Sequence, residues 1–417
     1  MKKYLMKSLW LIVFLAGCLS LGAQQYDLVI KNAHLIDVKN DLDESMDVAV
    51  LDGKIAEVAK QIPGDKAEKV VDASGMYVVP GLIDMHVHVF HGTNQDQYIS
   101  NSFTSLPPDG FTFRNGVTTV VDAGSAGWRN FKTFREQTIE NSKTRVLAFV
   151  NIVGPGMKGG AYEQNLADMD PKLTAIVARQ NKDVVVGIKL AHYSGHDWTP
   201  LERTVEAGEQ VNMPVMIDFG GANPALSIKT LLLEKLRPGD IYAHCFAHVG
   251  GRMPVVDEHG KVRPCVHEAQ DQGVLFEVGH GGGSFVYEQA LPALEQDFLP
   301  DMISTDLHTG SMNAGMKDML NVMSKFLNMG MPLKEVIARS SWAPAYHLNR
   351  KELGHLSVGA VADIAVLNMK EGDFGFTDVR GWKMSGDKKL ECELTLREGK
   401  VVWDLNGISM SEWQSDK

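Results

Sequence analysis

The sequence predicts an α/β protein built around a (β/α)₈ TIM barrel, with a small β-sandwich formed by the N- and C-terminal segments. Between positions 80 and 345, about 270 residues, apolar strand-like runs alternate with helical stretches, which is typical of parallel strands joined by crossover helices. Eight such runs suit a barrel of about 250 residues. The predicted barrel strands are Leu82–His88, Val117–Asp122, Val146–Ile152, Val184–Leu190, Pro214–Phe219, Asp240–Phe246, Val274–Val278 and Met302–Asp306.

Short alternating runs on both sides of this central region predict a second, smaller domain. Five runs lie between positions 26 and 72, separated by turns such as Asp52-Gly53, and three lie between positions 363 and 403. Because both ends have the same strand pattern, we expect residues 24–79 and 346–417 to pair as one β-sandwich beside the barrel of residues 80–345.

The composition favours a soluble enzyme with a small-molecule substrate. The 417 residues carry a formal net charge of -11, which argues against a nucleic-acid partner because phosphate binding needs a basic surface. Hydrophobic residues make up 44% of the chain and charged residues 22%, as in ordinary globular enzymes. Four cysteines form no disulfide framework. The sequence leaves homo-oligomerisation open.

The first 23 residues have the layout of an export signal. Three lysines precede the apolar run Leu9–Gly17, which is too short to span a bilayer. Leu15-Ala16-Gly17-Cys18 resembles a bacterial lipobox and would place a lipid on Cys18, whereas Leu21-Gly22-Ala23 resembles a cleavage site. Both interpretations predict a protein that leaves the cytoplasm, either periplasmic or lipid-anchored to a bacterial membrane.

The first predicted barrel strand carries a His-x-His pair. Side chains alternate along a strand, so we expect Asp84, His86 and His88 on one face and Ile83, Met85 and Val87 on the other. Two imidazoles on one face could share a divalent metal ion, although two hydrogen-bonded core histidines would give the same pattern.

Other polar residues fall at the ends of later predicted strands. Active sites of this barrel lie at the carboxyl ends of its strands, so polar residues there carry weight. These residues are His86, His88, Lys189, Asp218, His244, His280 and Asp306.

Four motifs in chain order resemble the amidohydrolase superfamily of metal-dependent hydrolases. They are Pro80–His88, Gly187-Ile188-Lys189, His244-Cys245-Phe246 and Ser304–His308. Two further segments, 116–125 and 279–285, resemble the amidohydrolase/deacetylase branch related to dihydroorotases. The likeness covers nearly all of the chain after the export signal.

The resemblance implies a binuclear site, with zinc as the expected metal. His86, His88 and Asp306 would hold the buried ion, His244 the outer ion, and Lys189 would bridge the two as a carbamate. A lysine ammonium cannot bind a cation, so this role requires a neutral amine, which burial favours. A salt-bridged lysine is the alternative for Lys189.

Position 218 departs from the family pattern. The fifth strand of the family usually ends in a histidine that binds the outer metal, whereas this chain reads Pro214-Val215-Met216-Ile217-Asp218. Asp218 is open to three interpretations: a substitute ligand, a group that contacts a substrate amine, or a sign that the outer metal is weakly held or missing.

The resemblance also implies the reaction. A metal-bridging hydroxide would attack a carbonyl, with Asp306 as the general base that returns the proton to the leaving group. His280 and Gly281 are candidates for substrate binding, and Arg252 could anchor a substrate carboxylate. His308 could orient Asp306 or face solvent.

We therefore expect an exported deacetylase that cleaves an acyl amide or ester of a small amino or hydroxy acid. The alternatives are a mononuclear deaminase of the same superfamily and a degenerate barrel that binds metal without catalysis. The deaminase is disfavoured because that chemistry depends on the histidine that Asp218 replaces.

Overall fold

A computed structural model of the protein describes residues 25–92, 102, 104–219 and 221–413. The predicted export signal and Cys18 lie outside these residues. Among them, no helix has the length and apolar character needed to cross a bilayer.

The described residues form two sheets and a layer of short helices. The strands are β1 Tyr26–Asp37, β2 Leu42–Leu51, β3 Lys54–Ala59, β4 Ala67–Asp72, β5 Tyr77–Pro80, β6 Leu82–Val87, β7 Val117–Gly127, β8 Arg145–Asn151, β9 Val185–Ala191, β10 Val215–Asp218, β11 Ile241–Tyr242, β12 Leu275–Phe276, β13 Ile364–Thr377, β14 Lys383–Arg397 and β15 Lys400–Asp404. The α-helices are α1 Phe131–Phe134, α2 Pro171–Gln180, α3 Thr199–Val211, α4 Ile228–Thr230, α5 Pro264–Asp271, α6 Tyr287–Glu295, α7 Met319–Asn328, α8 Leu333–Ala338 and α9 Trp342–His347. Short 3₁₀ or π segments are Val38–Asn40, Gly64–Lys66, Pro108–Gly110, Phe113–Asn115, Arg135–Ile139, Gly160–Gln164, Leu166–Asp168 and Leu231–Lys235.

Strands β6 to β12 form a curled parallel sheet in chain order. The segment 302–307, predicted as an eighth strand, is not a regular strand but makes single parallel bridges on both sides. Met302 pairs with Glu277 after β12, and Leu307 pairs with Val87 at the end of β6. The two edge strands are therefore both bonded to this segment.

The sheet has an inner and an outer core. A cluster of buried residues taken from every strand, including Ile83, Val121 and Met216, also contains Ala345 and Leu348 from the α9 region. A larger cluster contains the alternate strand residues, such as Val120 and Ile217, together with helix residues. Burial on both faces explains why these strands read as continuous apolar runs.

The two ends of the chain join in one hydrogen-bonded sheet. Its order is β15-β14-β13-β5-β1-β2-β3, with β4 paired to β1. Strand β13 runs antiparallel to β5, with Ile364 opposite Pro80, so the three C-terminal strands continue the sheet of the N-terminal strands. The predicted pairing of the ends is thus observed as a single sheet, whereas the two-layer sandwich and the domain boundaries stay predictions.

Asp363 joins the terminal sheet to the curled sheet. Its carbonyl accepts the N–H of Gly81 at 2.8 Å, and its carboxylate pairs with Arg145 on β8. These contacts fix the position at which β6 begins.

The predicted alternation along the first barrel strand is wrong. The register between β6 and β7 shifts between Asp84 and Val87. Ile83 and Met85 pack in the inner core, Val87 packs in the outer core, and Asp84 accepts a hydrogen bond from the backbone N–H of Thr305. An irregularity of this kind re-aims side chains, so His86 and His88 share a site that does not include Asp84.

We expect Gly187→Ala to destabilise the protein by about 1–3 kcal/mol, because overpacking a close-packed strand forces its neighbours to move. A Cβ atom at Gly187 in β9 would lie 2.4 Å from Phe149 Cε1 and 2.7 Å from the Pro214 carbonyl oxygen. Chemical denaturation measures the loss. Gly110→Ala is the matched control, because its Cβ would meet no atom within 4 Å; equal stability of the two variants would contradict the packing argument.

Candidate metal centre

Histidines and carboxylates converge at the carboxyl ends of the parallel strands. They line a cavity of about 470 Å³ together with Met157, Phe219 and Val249. The predicted site residues that line this cavity are His86, His88, Lys189, Asp218, His244, Arg252, Asp306 and His308.

His86, His88 and Asp306 form the first group of converging ligand atoms. His88 Nε2 lies 3.1 Å from Asp306 Oδ1, and His86 Nε2 lies 3.7 Å from the same oxygen. Zinc–ligand bonds of about 2.0–2.1 Å place neighbouring ligand atoms of a tetrahedral site roughly 3.3 Å apart. The spacing of these three side chains therefore fits one bound cation.

The remaining ring nitrogens of both histidines face hydrogen-bond partners. His86 Nδ1 lies 3.2 Å from Glu277 Oε2, and His88 Nδ1 lies 3.0 Å from Ser125 Oγ. Burial, with the nearby Lys189, lowers the pKa of His86 to about 4, which favours a neutral imidazole. A neutral ring that donates through Nδ1 leaves Nε2 free to bind a metal.

Lys189 ends in the middle of this cluster. Its side chain is buried, with 1% of its surface exposed, and its Nζ has no hydrogen-bond partner among the described residues. Burial lowers the pKa of the amine, although Asp218, Glu277 and Asp306 act against this shift. Burying a charged amine without a partner costs free energy unless the amine is neutral or modified. The Lys189 amine is therefore suited to a modification or a partner that the protein chain itself does not supply.

The carboxylate of Asp218 lies between the imidazole rings of His244 and His192. Its Oδ2 atom is 3.4 Å from His244 Nε2 and 3.3 Å from His192 Nε2, and its Oδ1 atom accepts a hydrogen bond from Arg252 at 3.1 Å. Burial alone would raise the pKa of Asp218, but His244 and His192 outweigh it and hold the pKa well below its usual value. His244 Nδ1 lies 2.7 Å from the Gly279 carbonyl, which leaves its Nε2 toward Asp218.

The backbone at these positions is unusual. His192, His244 and Asp306 have φ values of 56°, 59° and 51°, in the left-handed region that non-glycine residues seldom adopt. Glycines pack directly against two of them: a Cβ atom at Gly279 would lie 2.6 Å from His244 Nδ1, and one at Gly281 would lie 2.3 Å from Asp306 Oδ2. Such strain tends to occur at functional sites, where the surrounding structure holds it.

The three residues predicted to bind substrate differ in position. Arg252 lines the cavity, but it also donates to Asp218, to the Tyr242 hydroxyl and to the Ala243 carbonyl. Gly281 packs against Asp306. His280 is fully buried and its Nε2 lies 2.6 Å from Lys325 Nζ, on the side away from the cavity lining. Their role in substrate binding stays a prediction.

Sequence reasoning did not identify several residues of the site. Glu277 sits inside an apolar strand-like run, and its burial against His86 became visible only in three dimensions. Glu163, which lies 2.8 Å from His192 Nδ1, comes from a loop after the third barrel strand. A single charged residue within the otherwise apolar run Val274–Val278 was the one available signal.

A sequence profile of the amidohydrolase family matches residues 286–402. A deacetylase of Brucella anthropi is 34% identical over 347 residues, which are 81% of this chain and 83% of the relative. The chain belongs to the amidohydrolase family.

Other amidohydrolase relatives agree with this assignment. A deacetylase of Enterococcus faecalis is 29% identical over 90% of this chain and 99% of its own length. The crystal structure of an adenine deaminase, 28% identical, superposes with a TM-score of 0.81 over 91% of this chain and all of that chain. The protein is thus a metal-dependent hydrolase that acts on carbon–nitrogen bonds, and its His and Asp clusters are compatible with metal binding.

We expect Lys325→Met to lower the free energy of unfolding by about 2–4 kcal/mol. Lys325 Nζ is buried, and besides His280 it donates to the partly buried carbonyls of Gly315 and Thr377 at 2.7 and 2.8 Å, so its loss leaves three acceptors without this donor. Thermal and denaturant unfolding provide the measurement. The exposed Lys172→Met serves as control; an unchanged Lys325→Met protein would show that these contacts contribute nothing.

Proposed function

We propose that this amidohydrolase is a binuclear zinc deacetylase, which removes an acyl group from the nitrogen of an amino acid or the oxygen of a hydroxy acid. The observation that carries the proposal is the buried, unpartnered amine of Lys189 in a cavity that is also lined by histidines and carboxylates. The deacetylase names of relatives that match most of the chain support the removal of an acetyl group.

The chain provides donors for two cations on the curled sheet, which we take to be a (β/α)₈ barrel. His86, His88 and Asp306 would hold one ion, His244 and Asp218 the other, and Lys189 as a carbamate would connect them. A carbamate needs the neutral amine, which the lowered pKa of Lys189 favours. When bound, such ions activate water and polarise the scissile carbonyl.

Asp306 is the residue placed to move a proton. Its Oδ1 atom faces His86 and His88, while its Oδ2 atom lies 3.7 Å from His308 Nε2 and borders the cavity. His86 and His88 hold the pKa of Asp306 below its ordinary value against the effect of burial, so the group is an ionised base at neutral pH. We assign it to take the proton of the attacking water and return it to the leaving nitrogen or oxygen.

The cavity limits the substrate to a small molecule. Met157, Phe219 and Val249 provide an apolar surface opposite the polar cluster, which suits the side chain of an acylated amino or hydroxy acid. The same proposal includes export directed by residues 1–23, and detection of the mature chain in the cytoplasm alone would contradict that part.

A panel of N-acetyl amino acids and O-acetyl hydroxy acids, each as both enantiomers, tests the reaction. We expect acetate release from at least one class by the zinc-loaded enzyme, and a loss of about 10³-fold or more in kcat for Asp306→Asn, which keeps the shape of the side chain but cannot accept the proton. Adenine belongs in the panel because of the structurally similar deaminase. Ammonia release without acetate release would replace the proposal with a deaminase.

Lys189→Ala tests the assignment of the bridging carbamate. We expect both zinc content and turnover to fall, because the variant lacks the group that would connect the two ions, and added short-chain carboxylic acids should restore part of both. Elemental analysis and acetate release measure the two effects. Lys172→Ala, at an exposed lysine in the first turn of α2, is the control; unchanged zinc in Lys189→Ala would contradict the carbamate.

A further inference from the structure

Two imidazoles approach the same carboxylate oxygen of Asp218, as two others approach one oxygen of Asp306. His244 and His192 reach the Asp218 Oδ2 atom from the two strands that flank β10, at 3.4 and 3.3 Å. His244 follows β11, whereas His192 directly follows β9, three residues after Lys189. In the sequence, His192 is one of several loop histidines, with His196, His248 and His267, to which no motif assigns a role.

An aspartate at this place needs external support to reach a cation. Its side chain is shorter than that of a histidine, and a carboxylate free to rotate would present its oxygens in several directions. Arg252 Nη1 fixes the Oδ1 atom at 3.1 Å, so the Oδ2 atom is the oxygen left for a ligand. The position of Oδ2 beside His244 then depends on what contacts it from the other side.

His192 is held so that it makes this contact. Its Nδ1 atom lies 2.8 Å from Oε2 of the buried Glu163, and its own backbone N–H donates to the Asp218 carbonyl at 3.0 Å. The carbonyl of His192 accepts a hydrogen bond from Gln164 at 2.7 Å. The ring is thus fixed at one nitrogen by a loop and directs the other nitrogen at Asp218.

Exposure distinguishes His192 from the proposed ligands of the outer cation. Among the described residues, ligand atoms converge within 4.8 Å in two groups, His86 with His88 and Asp306, and His86 with His244 and Glu277. Neither His192 nor Asp218 belongs to these groups, but the side chain of His192 is 47% exposed at the cavity, whereas those of His244 and Asp218 are 5% and 11% exposed. His192 contacts the site through Asp218.

We infer that His192 is a positioning residue, which holds the Asp218 carboxylate against His244 so that its Oδ2 atom can serve the outer cation. The inference rests on the proposed two-cation function and adds a residue to it. Glu163, as the partner of His192, extends the same chain of contacts into the loop that carries Met157 on the cavity wall.

Zinc retention tests this role without measuring turnover. Zinc-loaded full-length protein and its His192→Leu and His192→Gln variants are dialysed against graded concentrations of a chelator, and zinc per chain is counted. We expect two zinc ions in the unsubstituted protein. In His192→Leu the second ion should bind about 10- to 100-fold more weakly while the first is unchanged, as for other residues that orient metal ligands.

The glutamine variant and a control separate the alternatives. His192→Gln keeps an N–H that can contact Asp218, so we expect retention close to that of the unsubstituted protein, and His196→Leu, at an exposed histidine of the same loop, should match it too. Loss of the second ion in both His192 variants would make His192 a ligand and overturn the positioning role. Full retention in His192→Leu would overturn the inference alone, whereas fewer than two ions in the unsubstituted protein would overturn the proposed function as well.

Discussion

Three buried carboxylates at the carboxyl ends of the curled sheet are the constraint on which the site depends. Asp218, Glu277 and Asp306 are almost fully enclosed, and burying ionised carboxylates is unfavourable unless cations or donors surround them. The protein places histidines beside all three and one lysine among them. The pKa values of Asp218, Glu277 and Asp306 all stay below their usual values in spite of burial, so the cluster is built to remain anionic.

The fold provides this cluster by bringing distant strand ends together. Parallel strands expose their carboxyl ends at one edge, and the segment 302–307 is bonded to both edge strands, so Asp306 comes close to His86 and His88 although they are far apart in the chain. Left-handed backbone at His192, His244 and Asp306 turns each side chain toward the cavity. Local strain at these three positions is thus compatible with a site held by the surrounding sheet.

Much of the fold followed from hydrophobic patterning. Seven of the eight predicted barrel strands form strands, because apolar runs buried on both faces have a strong pattern. The eighth, Met302–Asp306, makes only isolated bridges, and the long hairpin β13–β14 was underestimated because polar residues such as Lys370 and Lys388 interrupt it. The alternation in β6 failed because a register shift between Asp84 and Val87 leaves no signal in the residue types.

The candidate site was predictable where a residue type that can bind a metal or be modified lies near the end of a predicted strand, as for His86 and Lys189. Residues that act through others were not predictable: Glu277 lies within an apolar run, and His192 stood among several loop histidines until its contacts with Glu163 and Asp218 were known. Contacts between segments far apart in the chain form only in the folded molecule, and they cannot be predicted from a single sequence.

X-ray diffraction from zinc-loaded crystals, recorded at the zinc absorption edge, tests the central claim most directly. The account predicts two anomalous peaks, one among His86, His88 and Asp306 and one beside His244 and Asp218, with electron density that extends Lys189 beyond Nζ toward both. A single peak, or an unmodified Lys189 away from the metal, would contradict it.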